Sequence, residues 1–193
     1  MKHLTTAAVF FILLNSQFLH AQQVSIPLGF VKAKITLQNG QTLQGNIKED
    51  IKKRAAILFM DNADAKKTLY NGDQISSIVF DEQQFICIKG DFFKLIVAGE
   101  YSFLQKLSNA AEKPVYIGTE AMFINGSEGK IGSYYLYNMA SKTLQLLTKN
   151  NMETIANNAF ASCQAAIAKA KSINQNISQL QDVVTIYNNR NSK

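Results

Sequence analysis

The sequence predicts an α+β fold: a mostly antiparallel β-sheet, or a partly open barrel or roll, packed against a C-terminal helical hairpin. Three observations carry this. From Val24 to about Thr148, short apolar runs alternate with Gly, Asn and Asp, the pattern of strands joined by tight turns. Asn39-Gly40, Asn71-Gly72 and Asn125-Gly126 mark chain reversals, because Asn and Gly tolerate positive φ. Beyond Asn150 the apolar residues recur at helical spacing instead. The reversals share no fixed period, which argues against a solenoid. With 193 residues, 47% of them apolar, 18% charged and only 2 Pro, the chain fits one ordinary core; collagen and disordered acidic tails are excluded.

Residues 1–21 read as a secretory signal peptide. Lys2 supplies the positive start, Leu4 to Leu14 the apolar stretch, and Leu19-His20-Ala21 the cleavage site. The stretch turns polar at Asn15 and Ser16, too early for a transmembrane helix. The expected organisation is therefore a signal peptide at 1–21, a β-rich domain at 22–148 and a helical hairpin at 149–190. The expected location is periplasmic or secreted.

The first hairpin is specified by register. A three-residue loop, Gln38-Asn39-Gly40, with Gly40 left-handed, pairs Ile35 with Leu43 and Val31 with Ile47 on one face. Lys32, Lys34, Thr36 and Gln44 then point outward. A two-residue turn would place Leu43 on the face opposite Ile35, so burial selects the bulged form. Strands at 57–60 and 75–80 follow. Around Lys89-Gly90-Asp91 a second hairpin is expected, with Gly90 opening a type II′ turn and Lys89 opposite Phe92. It sets Ile86, Ile88, Phe93, Leu95 and Val97 on one face and Phe85, Cys87, Lys94 and Ile96 on the other. Both faces are largely apolar, so these strands should lie centrally. Residues 106–114 read as a connection, 115–117 as a strand, 125–132 as the most mobile loop, and 134–137 with 143–147 as the strands that close the sheet.

In the C-terminal part, Asn150 with Glu153 resembles a capping box, and Ile155, Ala159, Cys163, Ala166 and Ile167 keep helical spacing. After a break at 172–177, Ser178 with Gln181 reads as a second box, and Leu180, Val183, Val184 and Tyr187 form the stripe of a short last helix. Such stripes need a sheet to cover them.

Removal of the leader discards His3 and His20, the only histidines. Imidazole is the usual base for Ser and Cys nucleophiles and a common metal ligand, so those chemistries lose their best member. No zinc spacing joins Cys87 and Cys163, and no cofactor motif appears. These two cysteines are instead the candidate disulfide, a strand-to-helix bridge permitted in an oxidising compartment, with two buried free thiols as the alternative. Asp91, Glu100, Glu112, Glu120 and Glu128 lie near turns or strand ends, where a pair could act as acid and base on a glycoside; no spacing favours any pair. Ser102 has no flanking nucleophile-elbow glycines. Tyr134, Tyr135 and Tyr137 form an aromatic cluster suited to sugar stacking or to anchoring a partner, or simply a covered strand. Formal charge is +6, and the denser basic clusters are Lys52-Lys53-Arg54 and Lys66-Lys67. They read as strand-end solubilising charges or as a contact for an anionic surface. No nucleic-acid motif is present.

Several short motifs carry a resemblance: the leader end Ala21-Gln22, the hairpin from Leu37 to Gly45, the stretch from Leu69 to Ile75, a strand leading to Gly99, Tyr134-Tyr135, and the terminal Val184-Thr185-Ile186-Tyr187-Asn188. Through them the chain resembles a broad group of uncharacterised secreted proteins of Bacteroidota. The resemblance implies a β-rich domain with C-terminal helices, no established activity and no functional residues. A helical C terminus departs from the β-rich sorting domain of that phylum, which points to the periplasm rather than the cell surface.

The expected function is a non-enzymatic interaction module, contacting an envelope protein or glycan through its sheet surface or the loop at 125–132. Tyr134, Tyr135, Tyr137, Lys52, Lys53 and Arg54 are the candidate binding residues. The alternatives are a carboxylate-only hydrolase acting on glycans and a peripheral binder of anionic lipid or polysaccharide.

Overall fold

The structure, a computed structural model, describes residues 26–61, 66–112, 114–117, 120–123 and 126–191. The expected signal segment lies outside them. The chain is an α+β fold built on an antiparallel sheet of ten strands. These are β1 (Val31–Leu37), β2 (Thr42–Asp50), β3 (Ala56–Asp61), β4 (Lys67–Asn71), β5 (Ile75–Phe80), β6 (Gln83–Ile88), β7 (Asp91–Val97), β8 (Tyr101–Lys106), β11 (Tyr134–Asn138) and β12 (Thr143–Leu146). Their spatial order is β12-β11-β8-β7-β6-β5-β1-β2-β3-β4. Between β8 and β11 the chain makes a separate two-stranded sheet, β9 (Pro114–Ile117) with β10 (Glu120–Phe123). The strands at 134–138 and 143–146 do not close the sheet; β12 is its edge.

The first hairpin has the register that burial selects: Val31 lies opposite Ile47 and Ile35 opposite Leu43, with Gly40 at φ +85°. At the second hairpin the turn is one residue earlier than expected. Ile88 pairs with Asp91, and Lys89 and Gly90 both take positive φ, as a type I′ turn requires. Side-chain parity survives, so Ile86, Phe93 and Leu95 still share a face. Val97 does not join them, because an irregularity after Leu95 sets Val97 opposite Phe103 and turns it to the helical side.

One half of the sheet curls toward a barrel. Gly72, just beyond edge strand β4, makes a bridge to Gly90 in the β6–β7 turn. A Cβ on Gly72 would overlap the Gly90 carbonyl, so only glycine permits this approach. Inside the curl Ile35, Ile47, Ile57, Ile75, Ile78 and Phe92 are fully buried. Each contributes roughly 1.5–3 kcal/mol by leaving water.

The other half carries helices on one face: α2 (Met152–Ala159), α3 (Gln164–Ser172) and α4 (Leu180–Asn188). A single turn, α1 (Ile51–Arg54), links β2 to β3. Phe103 of β8 and Leu136 of β11 share a core with Met152, Phe160, Leu180, Val183, Val184 and Tyr187, so the predicted last stripe is the docked one. Three helices stand where a hairpin was expected, because Phe160 turns into the core and Cys163 is extended. Neither expected capping box forms. Asn151, not Asn150, flanks α2; its side chain turns back, accepting from the Thr148 N–H at 2.8 Å and donating to the Leu146 carbonyl at 2.9 Å. Ser178 donates to Asn176 Oδ1 at 2.8 Å within a 3-10 turn at Ile177–Gln179.

Candidate functional site

Two polar features interrupt the apolar interior. The first joins strand ends: Asp91 opens β7 and Lys106 closes β8, both fully buried, with Nζ 3.1 Å from Oδ2. Asp91 Oδ1 accepts from the Ala110 N–H at 2.7 Å and the Ser108 hydroxyl at 3.2 Å. Oδ2 accepts from the Ser127 N–H at 2.7 Å and its hydroxyl at 2.6 Å. Lys106 Nζ donates to the carbonyls of Ser127 at 2.6 Å and Gly129 at 3.1 Å. The ammonium has three protons, and each has an acceptor. No valence is left for a substrate, so the pair acts as an internal clasp whose desolvation is offset by its hydrogen bonds. The clasp holds residues 126–129, the part of the expected mobile loop that follows Asn125, which lies outside the described residues. Tyr135 strengthens it by donating its hydroxyl to the Glu128 carbonyl, and burial pushes the phenol up to about 12.

The second feature is a groove of about 490 Å³ on the sheet face opposite the helices. Its floor takes Ile86 and Ile88 from β6, Leu95 from β7, Ser102 from β8 and Tyr137 from β11; the polar Gln84 also lines it, as do Gln38 and Ser76, whose side chains donate to the Ile75 and Thr36 carbonyls. No described member of the apolar cluster on this face comes from a helix. Ser102 and Tyr137 are cross-strand partners, 3% and 8% exposed. Among the described residues neither side-chain hydroxyl has a hydrogen-bond partner, and neither oxygen is sealed from solvent. Burial raises the Tyr137 phenol above its ordinary range, keeping it a neutral donor. At the rim, the β11–β12 turn presents Met139 and Lys142. The turn is held by Asn138, whose Oδ1 accepts from the N–H groups of Ala140 at 2.9 Å and Ser141 at 3.0 Å. Among the described residues no carboxylate lines the groove.

The tyrosine cluster is not one surface. Tyr134 stacks on Phe103 on the helical side, with centroids 5.2 Å apart, whereas Tyr135 and Tyr137 face the other way. Cys87 and Cys163 are free thiols in separate cores, the curled half and the helical half, so the candidate bridge is not formed. Burial, with the charges of Asp73 and Asp91, holds the Cys87 thiol well above its ordinary range. Lys52, Lys53 and Arg54 are exposed on α1, where Arg54 pairs with Asp50 at 3.0 Å. They precede Ala56, while Lys67 lies opposite Met60, so the two basic clusters flank opposite ends of β3. Of the candidate carboxylates, Asp91 is in the clasp, Glu100 binds Arg190 at 2.6 Å, and Glu128 is exposed. The side chains of Glu112 and Glu120 lie outside the described residues.

Among the described residues no cluster of His, Cys, Asp and Glu is placed to hold a metal, and no helix is long and apolar enough to cross a membrane. No family model, curated protein or solved structure matches the chain.

Proposed function

We propose that the protein is a non-enzymatic binding module of the cell envelope and that it binds through the groove on the open sheet face. The observation that carries this reading is the Ser102–Tyr137 pair: two largely buried side chains whose hydroxyls are unpartnered within the described protein and open to the groove, beside an apolar floor. Such hydroxyls are free to donate to a ligand in exchange for water. Export rests on the leader pattern of residues 1–21. The hydrolase alternative needs two carboxylates about 5–9.5 Å apart in a cleft, and among the described residues neither this groove nor a second one between α2 and α3 is lined by two. Attachment to an anionic surface through both basic clusters gains nothing from their placement at opposite ends of β3.

A photoreactive side chain in place of Met139, at the rim, tests the reading in intact cells against one in place of Lys53. Binding through the groove gives an adduct from position 139 alone. Absence of any adduct at 139, or labelling only at 53, overturns it.

A further inference from the structure

Resting on that assignment of the groove, we infer that its ligand is a single-chain carboxylate of the fatty-acid type. The chain lies over Ile86, Ile88 and Leu95, and the head group meets the Ser102 and Tyr137 hydroxyls beside Lys142. Three properties of the lining select this class. The sign of charge is set first: among the described residues Lys142 lines the groove and no Asp or Glu does, so an anion is favoured over a cation or a zwitterion.

The donors set the head group. Ser102 and Tyr137 are directly opposite on adjacent strands, which places their Cβ atoms about 4.5–5.5 Å apart. Two neutral hydroxyls on one face of the groove can each donate to an anionic head group, and hydrogen bonds to an ionised acceptor are the strong kind. With one cation nearby, a monoanion is matched in charge and a phosphate dianion is not. The walls set the body. Branched aliphatic side chains form the floor, and the Tyr137 ring is 8% exposed, so no flat aromatic face is offered to a sugar. A volume of about 490 Å³ lies within the range of about 300–1,000 Å³ usual for small-molecule sites.

Calorimetric titration of the purified protein with dodecanoate and with dodecanol, both below their aggregation limits, tests the inference. The expected result is binding of dodecanoate at least tenfold tighter than dodecanol. Tyr137→Phe, Ser102→Ala and Lys142→Ala should each weaken dodecanoate by about tenfold, the worth of one hydrogen bond or contact to a charged group. Dodecanol should be unaffected by Lys142→Ala. Equal affinity for the two probes overturns the carboxylate assignment while leaving the groove as the binding site, provided that the groove-filling Ile88→Trp abolishes both. If neither probe binds, or if Ile88→Trp leaves binding unchanged in a protein with native thermal unfolding, the inference and the groove assignment both fall.

Discussion

Asn188, the last residue of α4, grips Tyr101 at both ends of its backbone: Nδ2 donates to the Tyr101 carbonyl at 2.8 Å, and Oδ1 accepts from the Tyr101 N–H at 3.3 Å. Nδ2 also reaches the Ala98 carbonyl at 3.2 Å, so one side chain fastens the whole β7–β8 connection to the helical layer. Gly99 lies under this carboxamide at φ +153°, and a Cβ there would fall on it.

Asn188→Ala should therefore destabilise the fold by about 1–3 kcal/mol, the cost of leaving backbone groups without their partner. Gly99→Ala should cost a similar amount through strain and collision. Because both act on one contact, the double variant should lose less than the sum of the two single changes. Urea unfolding midpoints decide this, and full additivity would show the two sites to be independent.

The clasp between Asp91 and Lys106 gives a larger effect. Lys106→Met leaves the Asp91 carboxylate buried without its cation, and Asp91→Asn leaves the ammonium uncompensated. Each should cost about 3–5 kcal/mol, with Asp91→Asn combined with Lys106→Met costing less than the sum. The loop at 126–129 should become protease-sensitive in either single variant, since its carbonyls and the Ser127 amide lose their anchors. Unchanged denaturation curves would remove the clasp from the account of stability.

The thiols should be silent in the native protein. Cys87 and Cys163 are buried in different cores, and the Cys87 thiolate is disfavoured by burial. A thiol-specific reagent should find no rapidly reacting group in buffer and two in denaturant, without prior reduction. A mass about 2 Da lower in protein taken from an oxidising compartment, restored by reductant, would establish the bridge instead.

Local alternation made much of the sheet legible. At the first hairpin, hydrophobic positions two apart admit one register, and Val31, Ile35, Leu43 and Ile47 take it. The second turn lies one residue before the position the local pattern predicts, because it depends on partners elsewhere in the chain: Asp91 must open β7 to meet Lys106, and Gly90 must meet Gly72. Neither contact leaves a trace in nearby residues. Helical spacing ran unbroken through Phe160, yet burial of that ring against Tyr101 and Tyr187 splits the helix. The groove was legible only through Tyr137. Ser102 reads as an ordinary strand serine, and its pairing opposite Tyr137 arises from strands joined across the inserted β9–β10 sheet.

The Glu100 cluster offers a pH test. Arg190, hydrogen-bonded to Glu100 at 2.6 Å, holds that carboxyl below its ordinary 4.5, and the Tyr187 hydroxyl, donating at 3.0 Å, lowers it further. A carboxyl depressed in the folded state stabilises fully above its unfolded value and stops doing so as pH falls through its folded one. Wild-type protein should thus be more stable than Glu100→Gln at pH 6, and the gap should close as the pH falls below 4.5. Because Glu100 is 47% exposed, the gap should be small and should shrink in high salt. Arg190 also lies 3.8 Å over the Tyr187 ring, a contact indifferent to acid. Arg190→Ala should accordingly remain destabilised at a pH low enough for Glu100→Gln to match wild type; equal pH profiles for the two variants would assign the whole effect to the ion pair.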